Sequence, residues 1–147
     1  MRRVLAVSVI LLSGALQSCS DDDPYADYCE VVKDKQDELT EIIGEGGPDV
    51  LLRALPAFRD LQDAAPPDIR DDWKLVVNGL TALETALDDA GVDPATFDSE
   101  NVPEDVTEAE NERIQAAAQD LRTDDSVAAF AAVEQQARDV CKTPLRL

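Results

Sequence analysis

The strongest constraint on the fold is a stripe of apolar residues in the middle of the chain. Between residues 69 and 90 they are spaced alternately four and three positions apart: Ile69, Trp73, Val76, Leu80, Leu83, Leu87 and Ala90. This spacing places all of them on one face of an α-helix, as in a coiled-coil seam. It therefore predicts a helix that packs against other helices, with Trp73 in the core rather than anchoring an outside partner.

The segments on the N-terminal side of this stripe also have helical spacing. The first helix is predicted to begin at Asp23-Pro24 and to end at the glycines of residues 44–47. A second helix should follow from Pro48, with Pro56 kinking or splitting it, and the third should open at Pro67 and end at Gly91. The expected inward residues of the first two are Tyr25, Tyr28, Cys29, Val32, Leu39, Ile42, Ile43, Leu51, Leu55, Phe58 and Leu61.

Two further helices are predicted after an irregular stretch at residues 91–105. Thr107 and Glu110 have the spacing of a capping box and should open a fourth helix that runs to about Leu121. Residues 123–126 offer caps for a fifth helix. Its expected inward residues are Val127, Phe130, Ala131, Ala137, Val140 and Cys141. Alanines at 116, 117, 128 and 131 would either let the last two helices approach closely or leave a cavity.

Apolar and polar residues do not alternate over any convincing stretch, so the sequence does not support β-strands. We therefore predict an all-α fold, a mostly antiparallel bundle of four or five helices.

The N-terminus has the layout of a signal peptide. Two arginines precede an apolar run that ends at Leu16, which is short for a membrane-spanning helix. Leu16-Gln17-Ser18-Cys19 resembles the lipobox of bacterial lipoproteins; Leu16 and Ser18 match, and Gln17 departs from the usual small or β-branched residue. The resemblance implies cleavage before Cys19 and a lipid on that cysteine, which would hold the protein at the extracytoplasmic face of the cell membrane. A plain secretory signal cut elsewhere, such as after Ala15, and an uncleaved anchor are the alternatives.

The cysteine count agrees with lipidation. The chain has three cysteines, and lipid on Cys19 leaves Cys29 and Cys141 to pair. Because an exported protein meets an oxidising environment, we predict a disulfide between them, and loop-closure entropy makes such a bridge worth about 4–5 kcal/mol. Two buried free thiols are the alternative. The predicted organisation is a signal peptide at 1–18, a lipidated N-terminus with a short tether at 19–23, and one helical domain at 24–147.

Composition excludes several functions. The chain has 32 acidic and 13 basic residues and a net charge of −19. Nucleic acid is thus not an expected partner, and anionic lipid head groups should repel the surface. Histidine is absent, which excludes Ser-His-Asp and Cys-His catalysis and His-ligated metals. Neither acidic stretch, at 21–23 or 93–105, matches a calcium-binding loop. We predict no catalytic residue, metal or cofactor.

Residues Ala65–Trp73 resemble a segment of small acidic lipoproteins from high-GC Gram-positive bacteria. That resemblance implies a location and a helical fold, and no activity. Two functions remain open. The first is a non-enzymatic interaction module near the membrane surface, whose acidic face would suit a basic envelope protein. The second is a carrier or sensor of a small apolar ligand held between helices.

Overall fold

A computed structural model describes residues 23–147, and this part of the chain folds into five α-helices without a strand. They are α1 (Ala26–Glu45), α2 (Val50–Ala64), α3 (Arg70–Asp89), α4 (Glu108–Asp120) and α5 (Asp124–Asp139). The predicted all-α class is confirmed. The predicted signal peptide, the lipidation site Cys19 and residues 20–22 lie outside the described residues.

The ends of α1 follow from local chemistry. The Asp23 carboxylate accepts a hydrogen bond from the Tyr25 backbone N–H at 3.0 Å, and its carbonyl accepts one from Ala26. This turn delays the helix, which begins at Ala26 rather than at Pro24. Gly46 ends it with a φ of 67°, a left-handed conformation that favours glycine, as the glycine cluster predicts.

The first three helices form an antiparallel layer. Lys35 of α1 pairs with Asp60 of α2 at 2.6 Å, while Glu45 at the end of α1 pairs with Arg53 near the start of α2. Short turns join α1 to α2 and α2 to α3, which is the connection that antiparallel neighbours use.

Helix α3 is central, because α2, α4 and α5 all pack against it. The last two helices cover successive lengths of α3 in the antiparallel direction. Arg113 of α4 lies 3.7 Å from Asp89, and Gln136 of α5 contacts Asp68, just before α3. Consequently α4 and α5 are arranged nearly end to end, and their junction meets α3 where Gly79 provides room. A Cβ at Gly79 would lie 2.8 Å from the Leu121 Cδ2 atom.

The core lies where α1, α2, α3 and α5 meet. Trp73 is fully buried, as predicted, and its ring centroid lies 5.8 Å from that of Phe58. Most of the apolar stripe of α3 is buried with it, whereas Leu83 and Ala90 are only half-buried. The largest fully buried side chains are Trp73, Tyr28, Phe58, Leu39, Leu55, Leu61, Leu80, Leu145, Val32, Val76 and Val133.

Helix α2 is not split by Pro56. The helix is continuous from Val50 to Ala64, and Pro56 lies on its exposed face. The residues around Pro56 that face the core, Leu55 and Phe58 among them, are fully buried. Packing of that face therefore outweighs the hydrogen bond that proline cannot donate.

The predicted inward face of α5 is wrong in part. The helix buries Ser126, Ala129, Val133 and Ala137. Of the predicted inward residues, Val127 is 57% exposed, Val140 is 37% exposed, Phe130 is only half-buried and Ala131 is exposed. Small residues face α3 and let the two helices approach closely. The buried Ser126 hydroxyl donates a hydrogen bond to the Asp120 carbonyl at 2.7 Å, so its burial leaves no unmet polar group.

The alternative in which alanines let α4 and α5 approach closely is wrong, because the two helices lie nearly end to end rather than side by side. Of the four alanines expected to face a neighbouring helix, only Ala117 is buried, and Ala116, Ala128 and Ala131 are exposed.

The predicted disulfide is confirmed. Cys29 near the start of α1 is bonded to Cys141 just after α5, with a Cα–Cα distance of 5.0 Å. The C-terminal tail then lies against α1, where the Gln36 side-chain amide donates to the Pro144 carbonyl and Leu145 is fully buried. The bridge and the tail together fasten α5 to α1.

Candidate functional site

Cys29 and Cys141 are brought together in a covalent bond, and neither is available for chemistry as a thiol. Within residues 23–147, no group of three or more Cys, Asp or Glu side chains is placed to hold a metal ion. None of the five described helices is long and apolar enough to cross a membrane.

A candidate binding feature of the domain is an apolar cleft beside α4. It has a volume of about 500 Å³ and lies between the start of α2, the C-terminal half of α3, α4 and the loop that joins α3 to α4. Its lining consists of Pro48, Leu52, Leu83, Leu87, Pro94, Phe97, Ser99, Ile114, Gln115, Ala118, Gln119 and Arg122. We call this feature the apolar cleft.

The floor of the cleft is fixed by the helices. Leu87 and Ile114 are buried, at 3% exposure each, where α3 and α4 pack together. Leu52 and Leu83 are half-buried, so their side chains present apolar surface to the opening. Leu83 belongs to the apolar stripe of α3 but is only half-buried, because its side chain borders the cleft.

The start of α4 is held by the predicted capping box. The Thr107 hydroxyl oxygen accepts a hydrogen bond from the Glu110 backbone N–H at 3.3 Å, and the Glu110 carboxylate accepts one from the Thr107 backbone N–H at 2.8 Å. The Thr107 hydroxyl also donates to that carboxylate at 2.7 Å, and these bonds lower the pKa of Glu110. The cap holds the helix one turn before Ile114 of the cleft.

The outer wall is the α3–α4 loop, which two aspartates stabilise. The Asp93 carboxylate accepts from the Ala95 backbone N–H at 2.9 Å, and its carbonyl accepts from Phe97 at 2.9 Å. Asp98 accepts from the Asn101 side chain and the Glu100 backbone, which lowers the pKa of Asp98. These turns hold Phe97 against the cleft. The sequence predicts an irregular stretch here but not its role as a wall.

The charges of the lining differ from those of the protein. About one residue in five of the chain is acidic, yet none of the twelve lining residues is. The single charge in the lining is Arg122, which forms no salt bridge with any residue of the described part. The other polar groups are the Ser99 hydroxyl and the amides of Gln115 and Gln119, one turn apart on α4.

A second depression differs from the cleft in the charges of its lining. On the other side of the α3–α4 contact, a groove of similar volume is lined by Asn78, Thr81, Ala82, Thr85, Ala86, Asp89, Arg113, Ala117 and Asp120. The surface of this second groove is also mostly apolar, but it contains the carboxylates of Asp89 and Asp120. A third depression is lined by Leu51, Leu121, Phe130, Ala131, Glu134 and Leu147, and it too contains a carboxylate. What distinguishes the cleft from both is therefore the absence of acidic side chains, not its apolar surface.

The cleft lies at the end of the domain opposite to the disulfide. Cys29 is near the start of α1, whereas the cleft begins at Pro48, after the end of α1. A helix of 20 residues is about 30 Å long, so the two features are separated by about that distance. Of the four alanines considered as cavity-forming positions, none lines the cleft, but Ala117 lines the second groove and Ala131 the third depression.

No family model, no curated protein and no solved structure matches the chain.

Proposed function

We propose that the protein is a lipid-anchored, extracytoplasmic binding protein whose helical domain holds a small apolar ligand in the apolar cleft. The cleft itself carries the proposal. Its volume of about 500 Å³ falls within the roughly 300–1,000 Å³ of ordinary ligand sites. Its lining also has the usual composition of such sites, with mostly apolar side chains and a few polar groups that orient the ligand.

The anchor part of the proposal rests on the N-terminal sequence and on the disulfide. The lipobox-like residues before Cys19 favour lipidation, and the Cys29–Cys141 bond is of the kind that persists in oxidising compartments outside the cytoplasm. With lipid on Cys19, the bridge end of the domain would be close to the membrane. The cleft would then be at the far end.

The proposal is of binding without catalysis. The polar groups of the lining are a hydroxyl, two amides and a guanidinium. The lining contains no carboxylate, so the cleft provides hydrogen bonds and apolar contacts rather than a carboxylic general acid or base.

The ligand part is tested by thermal unfolding in the presence of cell-envelope extracts. A ligand at 100 times its Kd stabilises a protein by about 2.7 kcal/mol, which raises the Tm by several degrees. We expect this rise for the wild type and for Phe130→Ala, and a much smaller rise for Phe97→Ala. The two phenylalanines are both half-buried, and only Phe97 lines the cleft. Absence of any rise in the wild type would contradict the proposal.

The anchor part is tested by fractionation and mass spectrometry. Cys19→Ala should move the protein from the membrane to the soluble fraction and abolish a mass increment of lipid size. A wild-type protein that is soluble, with an N-terminus upstream of Cys19, would refute lipidation.

A second candidate function is docking to a basic envelope protein. Exposed carboxylates at Glu104, Asp105, Glu108 and Glu112 surround the start of α4 without a salt bridge in the described part of the chain. Crosslinking in intact cells followed by mass spectrometry should then recover a basic partner joined to this region. Crosslinks that map elsewhere would count against it.

A further inference from the structure

We infer that the ligand of the apolar cleft is an uncharged amphiphile with an apolar body and a carbonyl group that accepts a hydrogen bond from Arg122. The inference rests on the proposed function, because it specifies what the cleft would hold.

The apolar body follows from the floor and wall of the cleft. Leu52, Leu83, Leu87, Phe97 and Ile114 surround the space, together with Pro48, Pro94 and Ala118. A ligand without apolar surface would leave the half-buried side chains of Leu52, Leu83 and Phe97 in contact with water, whereas an alkyl or ring system would cover them.

The acceptor follows from Arg122. A guanidinium has five N–H donors and no acceptor, and that of Arg122 has no carboxylate partner among the described residues. A ligand group placed beside it must therefore accept hydrogen bonds. A carbonyl oxygen does so, and the amides of Gln115 and Gln119 can bond to a neighbouring oxygen or hydroxyl of the same ligand.

The absence of charge on the ligand follows from the rest of the protein. The net charge of −19 produces a surface potential of several kT. This potential repels an anion and offsets the free energy gained by pairing the anion with one arginine. Exposed Asp120, Asp124 and Asp125 lie within three residues of Arg122 and add to that opposition. A cation would lose its hydration in a lining that has no carboxylate to replace it. A neutral carbonyl gains the charge-assisted bond without either cost.

The test compares three probes with the same chain length: methyl decanoate, decanoate and decyltrimethylammonium. Binding is measured by calorimetry at low salt with the exported chain carrying Cys19→Ala, which requires no detergent. We expect methyl decanoate to bind at least tenfold more tightly than either charged probe. Arg122→Met keeps an unbranched apolar stem and removes the guanidinium donors, so it should weaken the binding of methyl decanoate about tenfold or more.

Arg113→Met is the matched control, because Arg113 is also an exposed arginine of the α4 region but lines the second groove. It should leave the affinity for methyl decanoate unchanged. Decanoate binding as tightly as the ester, or an Arg122→Met variant with unchanged affinity, would overturn the inference. If either of these results is found and Phe97→Ala still abolishes binding of the probes, the cleft remains the site and only the ligand chemistry is wrong. No binding by any probe, with no stabilisation by envelope extracts, would overturn the inference and the proposed function together.

Discussion

The indole N–H of Trp73 donates a hydrogen bond to the phenol oxygen of Tyr28 at 3.0 Å, inside the core. This bond joins α3 to α1, although α1 packs mainly against α2. Both side chains are almost completely buried, so neither polar group has water as a substitute partner. Burial also raises the pKa of Tyr28, which keeps the phenol neutral.

Tyr28→Phe should therefore destabilise the protein by about 1–3 kcal/mol, because it leaves the Trp73 N–H buried without an acceptor. The control is Tyr25→Phe, which removes an exposed hydroxyl that donates to Asp68, and should change stability by less than about 0.5 kcal/mol. Urea unfolding followed by the fluorescence of the only tryptophan measures both. Equal effects of the two substitutions would show that the buried bond is unimportant.

Replacing both Cys29 and Cys141 by alanine should lower the free energy of unfolding by about 4–5 kcal/mol, because the bridge restricts the unfolded chain over most of the domain. Denaturant unfolding with and without dithiothreitol measures this loss. The reductant should destabilise the wild type by a similar amount and leave the double variant unchanged. A wild type that is insensitive to the reductant under unfolding conditions would contradict the prediction.

Glu110→Gln should be less stable than the wild type at neutral pH, with a difference that disappears in acid. In the folded wild type, the pKa of Glu110 is lowered from its ordinary value of 4.5, chiefly by the hydrogen bond from the Thr107 side chain. A carboxyl group whose pKa is lower in the folded than in the unfolded protein contributes stability at pH values above its unfolded-state pKa. That contribution is lost as the pH falls through its folded-state pKa. The Tm difference between the two proteins, followed from pH 7 downward, measures it.

Glutamine still completes a capping box, so the comparison at position 110 isolates the charge. In a Thr107→Ala background the pH dependence of the difference should be smaller, since the main cause of the pKa shift is gone. A difference that stays constant from neutral pH to pH 3 would contradict the assignment.

The two valines of α5 provide a test of its register. Val133→Ala should cost about 2 kcal/mol, because it removes two buried methyl groups and leaves a small cavity. Val127→Ala makes the same chemical change at a position that is 57% exposed, and should cost less than about 0.5 kcal/mol. Denaturant midpoints of the two variants measure the difference. The reverse order would favour the face expected from the sequence.

The features that the sequence predicts correctly are local or covalent. The apolar stripe of α3 predicts a buried helical face, Gly46 ends α1 through a backbone conformation that glycine adopts easily, and Thr107 with Glu110 opens α4 through a reciprocal cap. The pairing of Cys29 with Cys141 follows from their number and the expected compartment. Each depends on residues within a few positions of one another or on a single bond, so no packing partner has to be known.

Only the tertiary structure decides which face of α5 is buried and where the cleft lies. The sequence alone favours Val127 and Phe130 for the core because they are large and apolar, but α3 approaches closely enough that Ser126, Ala129 and Ala137 occupy the contact instead. The cleft forms where Leu83 of α3 is left half-buried between Leu52 of α2, Ile114 of α4 and Phe97 of the α3–α4 loop. The buried face of α5 and the position of the cleft both depend on packing between helices that are distant in the sequence. Hydrophobic periodicity within a single segment contains no information about that packing.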